Sequence, residues 1–245
     1  MRLAIMQPYF FPHLAYFQLM KEADEWIVFD EIQFIDKGWI NRNRILHPNE
    51  EKQWQYFTLP LTGRKQFSRI SELEIHPEKN WEAEIFGKLT HLKKKAPFYR
   101  DTLAFLEECF EEKTANLSVF LSHTLRKCAQ KLEISTPIKV QSEMGMVGLQ
   151  STHPGQWAVS ISAACGATEY INPLGGAEIF KKAEFDAANI KLKLLKGGQL
   201  SYTQRNRQFV PGLSIIDVLM WNSAEEVREL MTQYEVIEKD ERLHT

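Results

Sequence analysis

The first 30 residues combine two short apolar runs with one helix-like stretch. Residues 3–6 and 26–29 are apolar, and a turn-forming or polar residue follows each run. Between the runs, Leu14, Phe17 and Met20 recur at intervals typical of one helix face. A strand, a helix and a second strand within about 30 residues have the length of a βαβ unit. Such a unit predicts two parallel strands joined by a right-handed crossover.

A helical segment follows, and strand patterns lie on both sides of it. From residue 77 to residue 132 the apolar positions have helical spacing, and Pro97 separates the first two of three predicted helices. Asn116 is expected to cap the third helix. Outside this segment, strands are expected at residues 55–61, 70–75, 137–140, 168–171 and 190–195, and helices at 153–165, 214–221 and 223–234.

The whole pattern predicts one α/β domain over residues 1–245. Its core is expected to be a mainly parallel, Rossmann-like sheet built from residues 1–75 and 135–221, with a helical insertion at about 77–132. Residues 31–52 are polar and read as one long irregular loop. Loops of this length in compact domains are usually functional or disordered.

Charge and cysteine content restrict the classes of function. The chain has 30 Lys and Arg against 32 Asp and Glu, a net charge of −2, so nucleic acid is not an expected partner. Its three cysteines are widely spaced and odd in number, which favours reduced thiols and a cytoplasmic location over a secreted disulfide framework. Residues 3–20 are uncharged, but Pro8 and Pro12 would break a spanning helix, so no membrane insertion is expected.

Several standard catalytic signatures are missing from the sequence. It contains no Gly-x-Ser-x-Gly elbow, no Walker loop, no Gly-x-Gly-x-x-Gly and no Cys-x-x-Cys, and its seven histidines are scattered. The pattern therefore does not favour a serine hydrolase, a P-loop NTPase or a zinc enzyme. No metal ligands are predicted.

The first candidate site follows the first strand. Gln7, Tyr9 and His13 lie where that strand passes into the first helix, and open parallel sheets bind ligands beyond the carboxyl ends of their strands. The segment resembles the strand–His-x-Gly-His–helix entry of the nucleotidyltransferase and pantothenate synthetase superfamily, whose histidines contact nucleotide phosphates during adenylyl transfer. Here Ala15 replaces the glycine and Tyr16 the second histidine. The alternative interpretation is an aromatic cluster with a histidine at the helix start.

The second candidate is the stretch Gly38-Trp-Ile-Asn-Arg-Asn-Arg44. If it is extended, Arg42 and Arg44 lie on one face roughly 7 Å apart, with Asn41 and Asn43 on the other. Two guanidinium groups at that spacing suit a diphosphate, or a carboxylate beside a phosphate. Trp39 is a further candidate contact for a ligand. The alternative is a solvated loop with ordinary ion pairs.

The third candidate is the expected tight turn at residues 172–176. Gly175 and Gly176 would allow consecutive amides to form an anion-binding nest, with Tyr170 and Asn172 as nearby polar groups. The alternative is a turn with no ligand.

The fourth candidate is Asp217, an acid in an otherwise apolar segment. Burial would raise its pKa and allow it to act as a general base. Its spacing from Ser214 also fits a capping box at a helix start, which is the structural alternative. The run Lys93-Lys-Lys95 reads as a solvated helix end, and Arg205 and Arg207 are weaker candidates for anion binding.

Five motifs together resemble the WbqC-like family, over residues 1 to about 234. They are Gln7-Pro-Tyr-Phe-Phe-Pro12, Gly38-Trp-Ile-Asn-Arg-Asn-Arg44, Lys95-Ala-Pro-Phe98, Tyr170-Ile-Asn-Pro-Leu-Gly-Gly176 and Phe209-Val-Pro-Gly-Leu-Ser-Ile-Ile-Asp-Val-Leu-Met220. The resemblance implies a role in bacterial surface-polysaccharide (O-antigen, lipopolysaccharide) biosynthesis, in which an amino acid, with glycine suggested, is transferred onto a sugar. No established catalytic residues can be carried over from the family.

Together with the candidate residues described above, the resemblance leads to a functional hypothesis. We expect a transferase or ligase that joins an amino acid to a sugar or nucleotide sugar through an amide bond, with ATP and Mg²⁺ activating the carboxylate. Asp217 and His13 would act in catalysis, and the other candidates would bind substrate or phosphate. One alternative is a non-catalytic protein that binds nucleotide sugars or polysaccharide. Aminoacyl-tRNA as donor is a third, which the net charge of −2 does not support.

Overall fold

The computed structural model describes residues 1–205 and 207–239. Its strands are β1 (Arg2–Met6), β2 (Glu25–Val28), β3 (Arg42–Leu46), β4 (Trp54–Thr58), β5 (Leu61–Thr62), β6 (Glu74–Ile75), β7 (Ile138–Val140), β8 (Glu169–Pro173), β9 (Lys191–Gly197) and β10 (Tyr234–Glu238). Its α-helices are α1 (Leu14–Glu22), α2 (Trp81–Leu89), α3 (Tyr99–Cys109), α4 (Leu117–Lys131), α5 (Gln156–Ala164), α6 (Lys182–Ala187), α7 (Ile215–Trp221) and α8 (Ala224–Leu230). The predicted domain range of 1–245 includes positions 206 and 240–245, which lie outside the described residues.

A six-stranded sheet in the order β10-β9-β8-β1-β2-β7 forms the centre of the molecule. Every neighbouring pair in it is parallel except β10 and β9, which are antiparallel. The predicted α/β class with a mainly parallel sheet is therefore confirmed. From β1 the chain continues to β2 on one side, whereas the later strand β8 pairs with β1 on the other side. The strand order thus reverses between β1 and β8, and such reversal points are where open α/β sheets bind ligands.

Side chains from β1 enter two cores, one on each face of the sheet. Leu3 and Ile5 belong to a core that also contains Ile161 of α5 and Phe185 of α6. Ala4 faces the larger core, where α1, α7 and the helices α2 to α4 contribute most of the buried side chains. Because successive residues of a strand point to opposite faces, one short apolar strand supports both layers.

The helices α2, α3 and α4 lie in the connection between β2 and β7, two neighbouring strands of the sheet. They occupy the segment for which helical spacing was predicted. Asn116 caps α4 as expected, because its side-chain oxygen accepts a hydrogen bond from the amide of Val119 at 3.0 Å. None of the helices in the described part of the chain combines the length and apolarity needed to cross a membrane.

The prediction that residues 31–52 form one irregular loop is wrong. Residues 42–46 form β3, which pairs antiparallel with β4, and neither strand joins the central sheet. The alternation was hidden because a polar residue, Asn43, occupies a buried position of β3. The expected strand at 70–75 is also wrong in part, because it contains a 3-10 turn (Ile70–Glu72) before the two-residue β6. Residues 42–75 thus form two separate ribbons outside the sheet.

The C-terminal part differs from the prediction at its end. The capping box of Ser223 and Glu226 starts α8 as expected, but the helix ends at Leu230. Residues 234–238 form β10, which contains the β-branched residues Val236 and Ile237, so the sheet extends beyond residue 221. The short α6 was not predicted, since six residues give too few turns to show a period.

Candidate functional site

A cleft of about 1460 Å³ opens at the carboxyl ends of β1 and β8, where the strand order reverses. Met6 and Gln7 at the end of β1, and Asn172 and Pro173 at the end of β8, form its floor. Residues 32–36 and 64–68 form one wall. The start of α5 and the 3-10 helix that follows β8 form the other wall. Pockets of this size can hold two small substrates together.

Eight of the thirteen predicted site residues line this cleft, although they come from three separate segments of the sequence. They are Gln7, Tyr9, His13, Trp39, Tyr170, Asn172, Gly175 and Gly176. The other five, which do not line it, are Asn41, Arg42, Asn43, Arg44 and Asp217. His13 therefore lines the same cleft as Gly175 and Gly176, whereas Arg42 does not line it.

His13 is the last residue before α1, and its side chain is exposed inside the cleft. Among the described residues, none hydrogen-bonds to its imidazole ring. The surrounding walls of the cleft desolvate the ring and lower its pKa below the ordinary value of 6.5, and the nearby charge of Arg44 lowers it further. His13 is therefore neutral at pH 7 and has a free nitrogen lone pair that can accept a proton.

Gln7 and Tyr9 lie on the turn between β1 and α1. The carbonyl of Gln7 accepts a hydrogen bond of 2.9 Å from the buried hydroxyl of Tyr16, which fixes the turn against α1. The ring of Tyr9 packs on that of Tyr16 with centroids 5.5 Å apart. Burial raises the pKa of Tyr9, so its hydroxyl remains protonated at pH 7 and can donate to a ligand.

Tyr170 and Asn172 form a rigid part of the floor. The Tyr170 hydroxyl donates to Asn172 Oδ1 at 3.0 Å, and Asn172 Nδ2 donates to the carbonyl of Pro173 at 3.2 Å. The Tyr170 ring stacks on Phe185 and meets Phe180 edge-on. Burial raises the pKa of Tyr170 as well, so this hydroxyl is a hydrogen-bond donor that keeps its proton.

Gly175 and Gly176 lie in a 3-10 helix (Leu174–Ile179), whereas the sequence predicted a tight turn ending at residue 176. Neither adopts the left-handed conformation that favours glycine. A Cβ atom on Gly176 would lie 2.5 Å from Asn172 Nδ2, while a Cβ on Gly175 would have no atom within 4 Å. Gly176 is thus required so that Asn172 can lie close to the backbone.

Substitution of Gly176 by Ala is expected to destabilise the fold by about 1–3 kcal/mol, because the new methyl group must displace the Asn172 amide. The matched change Gly175→Ala should alter the free energy of unfolding by less than about 0.5 kcal/mol, because its methyl group enters open space. Chemical denaturation of both variants measures the difference. Equal losses for the two variants would show that the close approach of Asn172 is unimportant.

The two candidate arginines are held by the β3–β4 ribbon. Arg42 lies 4.2 Å over the Tyr56 ring and donates to the carbonyls of Gly38 and Lys37. Arg44 lies between Trp39 and Trp54, 5.1 Å from each ring, and donates to the carbonyl of Gly212 at 3.0 Å. Trp39 itself lines the cleft. Arg44 therefore packs against Trp39, a wall residue of the cleft, without lining the cleft itself. Its charge also influences the pKa of His13.

The two candidate asparagines have partners within the protein. Asn41 donates to the carbonyl of Leu59 at 2.9 Å. The buried Asn43 donates to the carbonyls of Phe10 and Phe11 at 3.1 and 3.0 Å, and so ties the turn that precedes His13 to β3. Neither amide lines the cleft.

We expect the substitution Arg44→Met to raise the pKa of His13, because a positive charge beside the imidazole is removed while a side chain of similar length remains. Arg42→Met is the matched control, since Arg42 does not contribute to the pKa of His13. NMR titration of the histidine ring protons measures both variants. An unchanged pKa of His13 in the Arg44 variant would contradict this electrostatic coupling.

Asp217 is buried within α7, away from the cleft. Its carboxylate accepts hydrogen bonds from the Tyr202 hydroxyl at 2.7 Å, Gln204 Nε2 at 2.8 Å and Trp221 Nε1 at 3.3 Å. Desolvation raises its pKa to about 6, and these hydrogen bonds oppose the shift. Ser214 caps α7 through the Ile216 amide, but Asp217 does not complete the predicted capping box. The geometry gives Asp217 a structural role.

Sequence reasoning missed several residues of the cleft. Lys65 and Arg64 line it on the loop between β5 and β6, and Arg64 pairs with Asp36 at 2.7 Å. No spacing in the sequence shows that this loop reaches the sheet edge. Three lining apolar side chains are more than half exposed, at 57% for Ile35, 68% for Phe67 and 51% for Ile179. Exposed apolar groups concentrated at one cleft are typical of a binding site.

The cleft offers little to a metal ion held by protein alone. Asp36 is the one carboxylate among its described lining residues, and it is paired with Arg64. Over residues 1–205 and 207–239, no group of three or more His, Cys, Asp or Glu side chains is placed to hold a metal.

Comparison with known proteins identifies a family. The model of the WbqC-like protein family matches residues 7–229. The uncharacterized protein Rv1507c of Mycobacterium tuberculosis (strain ATCC 25618 / H37Rv) is 24% identical over 226 residues, which cover 91% of this chain and 95% of that protein. No solved structure matches the chain. Because the family model spans nearly the whole sequence, including every lining segment from Gln7 onward, the chain belongs to the WbqC-like protein family.

Proposed function

We propose that the protein is an amide-forming transferase or ligase whose reaction takes place in the cleft between β1 and β8. The observation that carries the proposal is the unpartnered imidazole of His13, neutral at pH 7, in a large cleft at the reversal point of the sheet. A base of this kind suits a reaction in which a nucleophile must lose a proton near neutral pH. The other hydrogen-bonding groups of the floor can orient a substrate.

In the proposed step an amine nitrogen attacks the carbonyl carbon of an activated aminoacyl group. A C–N bond forms, the bond from the carbonyl carbon to the leaving group breaks, and the amine proton passes to His13. The protonated Tyr9 hydroxyl and the side-chain amide of Gln7 are donors that can contact the developing oxyanion. His13 replaces Asp217 as the proposed base, because Asp217 does not reach the cleft.

Phosphates of the activated donor would lie against Lys65 and Arg64. The amine of Lys65 forms no ion pair with any described carboxylate, so its charge is available to a ligand. ATP, when bound, would supply the energy for carboxylate activation. Because the described lining residues do not group carboxylates, Mg²⁺ would arrive with the phosphates.

Family membership supports the choice of substrates. We propose an amino acid, with glycine first among the candidates, and an amino-bearing sugar or nucleotide sugar of bacterial surface polysaccharide. The exposed Trp39 offers an aromatic face to a sugar or a base. The alternative is a protein that binds nucleotide sugars in the same cleft without catalysis, which the apolar rim of Ile35, Phe67 and Ile179 also favours.

The test is a product assay with ATP, glycine and a panel of amino- and carboxyl-bearing nucleotide sugars, analysed by mass spectrometry for product, AMP and pyrophosphate. An amide that forms together with AMP supports activation by ATP. If an amide forms only with charged tRNA, the transferase hypothesis is retained and activation by ATP is rejected. Tight binding across the panel, with divalent metal present and no turnover, would reject the enzyme in favour of the binding protein.

A further inference from the structure

A second cavity, of about 260 Å³, lies at a different place in the fold. It is enclosed by the end of β3, the 3-10 turn after α2, the segment around residue 205 and the end of α7. It shares no lining residue with the large cleft. Any ligand bound here would therefore be separate from the proposed reaction.

Positive charge dominates this second cavity. Lys95, Arg205 and Arg207 line it, against the single carboxylate of Glu50. None of the three cations forms an ion pair with a carboxylate of the described residues. The chain as a whole has a net charge of −2. These cations, which have no carboxylate partner among the described residues and come from distant parts of the sequence, therefore form a local region of positive charge.

Two further observations show that the charges of Lys95 and Arg207 meet at the cavity. Arg207 is fixed by donating to the carbonyls of His47 at 3.0 Å and Gln53 at 3.3 Å, so its guanidinium is preorganised. His91, also in the lining, has a pKa lowered mainly by desolvation; a hydrogen bond with the Lys88 carbonyl opposes this shift, and the charges of Lys95, Arg207 and His47 add to it. Charged side chains from three segments of the sequence therefore act on one imidazole ring.

We propose that this cavity is a binding site for the phosphate group of a small phosphorylated molecule or for free phosphate. A compact anion with more than one charge matches three cations around a small volume, and arginine forks suit phosphate oxygens. The Trp221 ring and Pro48 provide apolar wall beside the charges, where the carbon part of a phosphomonoester would lie. The sequence alone did not connect Lys95 with Arg205 and Arg207, because they lie more than 100 positions apart.

The test titrates inorganic phosphate, and separately a sugar monophosphate, into the full-length protein while NMR follows the histidine rings. We expect bound phosphate to raise the pKa of His91, because the anion offsets the neighbouring cations, and to leave His13 in the large cleft unchanged. A sugar monophosphate that binds more tightly than inorganic phosphate identifies a phosphomonoester as the ligand, and the opposite order identifies free phosphate.

A pair of double variants gives the matched control. Lys95→Gln with Arg205→Gln should weaken phosphate binding by about tenfold or more, since two charge-assisted contacts are lost. Lys93→Gln with Lys94→Gln removes the same charge just outside the lining and should change affinity by less than about twofold. The proposal is overturned if the wild type binds neither probe, if binding shifts His13 instead of His91, or if both variant pairs weaken binding equally.

Discussion

Replacing His13 with Gln is expected to lower kcat/KM for amide formation by about 10²–10⁴-fold, the range for loss of a general base. The folded state should be unaffected, because His13 makes no side-chain capping bond and is exposed in the cleft. Substrate binding should change much less than turnover, since glutamine keeps a similar size and polarity. Thermal unfolding and equilibrium binding of the variant separate these effects.

The pH dependence gives an independent check on His13. Its pKa lies below 6.5, so the neutral, proton-accepting form dominates at pH 7. The rate should be constant above that pKa and fall as the pH drops through it, and the Gln variant should lose this acid limb. His76→Gln, a change at a half-buried histidine outside the cleft, should retain activity within about twofold. An acid limb that persists without His13 would assign the base to another group.

Replacing Asp217 with Ala is expected to destabilise the fold by about 2–4 kcal/mol at pH 7, because three buried donors lose their shared acceptor. The donors come from Tyr202, Gln204 and Trp221, so the substitution also releases the segment at 202–204 from α7. Asp217→Asn, which keeps the shape and one acceptor oxygen, should cost less. Chemical denaturation of the two variants measures the difference. An Ala variant as stable as the wild type would show that this buried cluster contributes little.

The sign of the pH effect on Asp217 follows from its raised pKa. The folded protein holds this proton up to a pH of about 6, whereas the unfolded chain releases it near 3.8. The contribution of Asp217 to stability is therefore largest below pH 3.8, declines by about 3 kcal/mol as the pH rises to 6, and is constant above. The Asn variant lacks this dependence, so its stability relative to the wild type should improve between pH 4 and pH 6. A constant difference between the two proteins would contradict the raised pKa.

Local patterns were sufficient for five of the six strands of the central sheet and insufficient for β10 and for the ribbons beside the sheet. The strands β1 and β2 consist mainly of short apolar runs with buried centres, and such runs are recognisable without knowledge of their neighbours. In β3 one of the buried positions is Asn43, whose amide is satisfied by two carbonyls from a distant turn. No period in the sequence marks a polar residue that becomes buried through tertiary hydrogen bonds.

The candidate site, like the fold, was predicted only in part from the sequence. His13, Gln7 and the 170–176 segment were recognised because they follow strands, and parallel strands bring their carboxyl ends to one edge. The arginines of β3 were recognised as a pair, but their sequence spacing cannot show that Tyr56, Trp54 and Trp39 stack on them. Asp217 was expected to be buried with a raised pKa, as it is, yet its distance from the cleft depends on packing that no local pattern contains.

The central claim is that the cleft binds an activated aminoacyl donor with its reactive carbonyl beside His13. A crystal structure of the protein with glycyl sulfamoyl-adenosine, a stable analogue of a glycyl adenylate, tests it most directly. We expect the analogue in the cleft, with its charged linker near Lys65 and its carbonyl placed so that an attacking amine lies within hydrogen-bond reach of His13. An analogue bound outside this cleft, or with its carbonyl turned away from His13, would contradict the account.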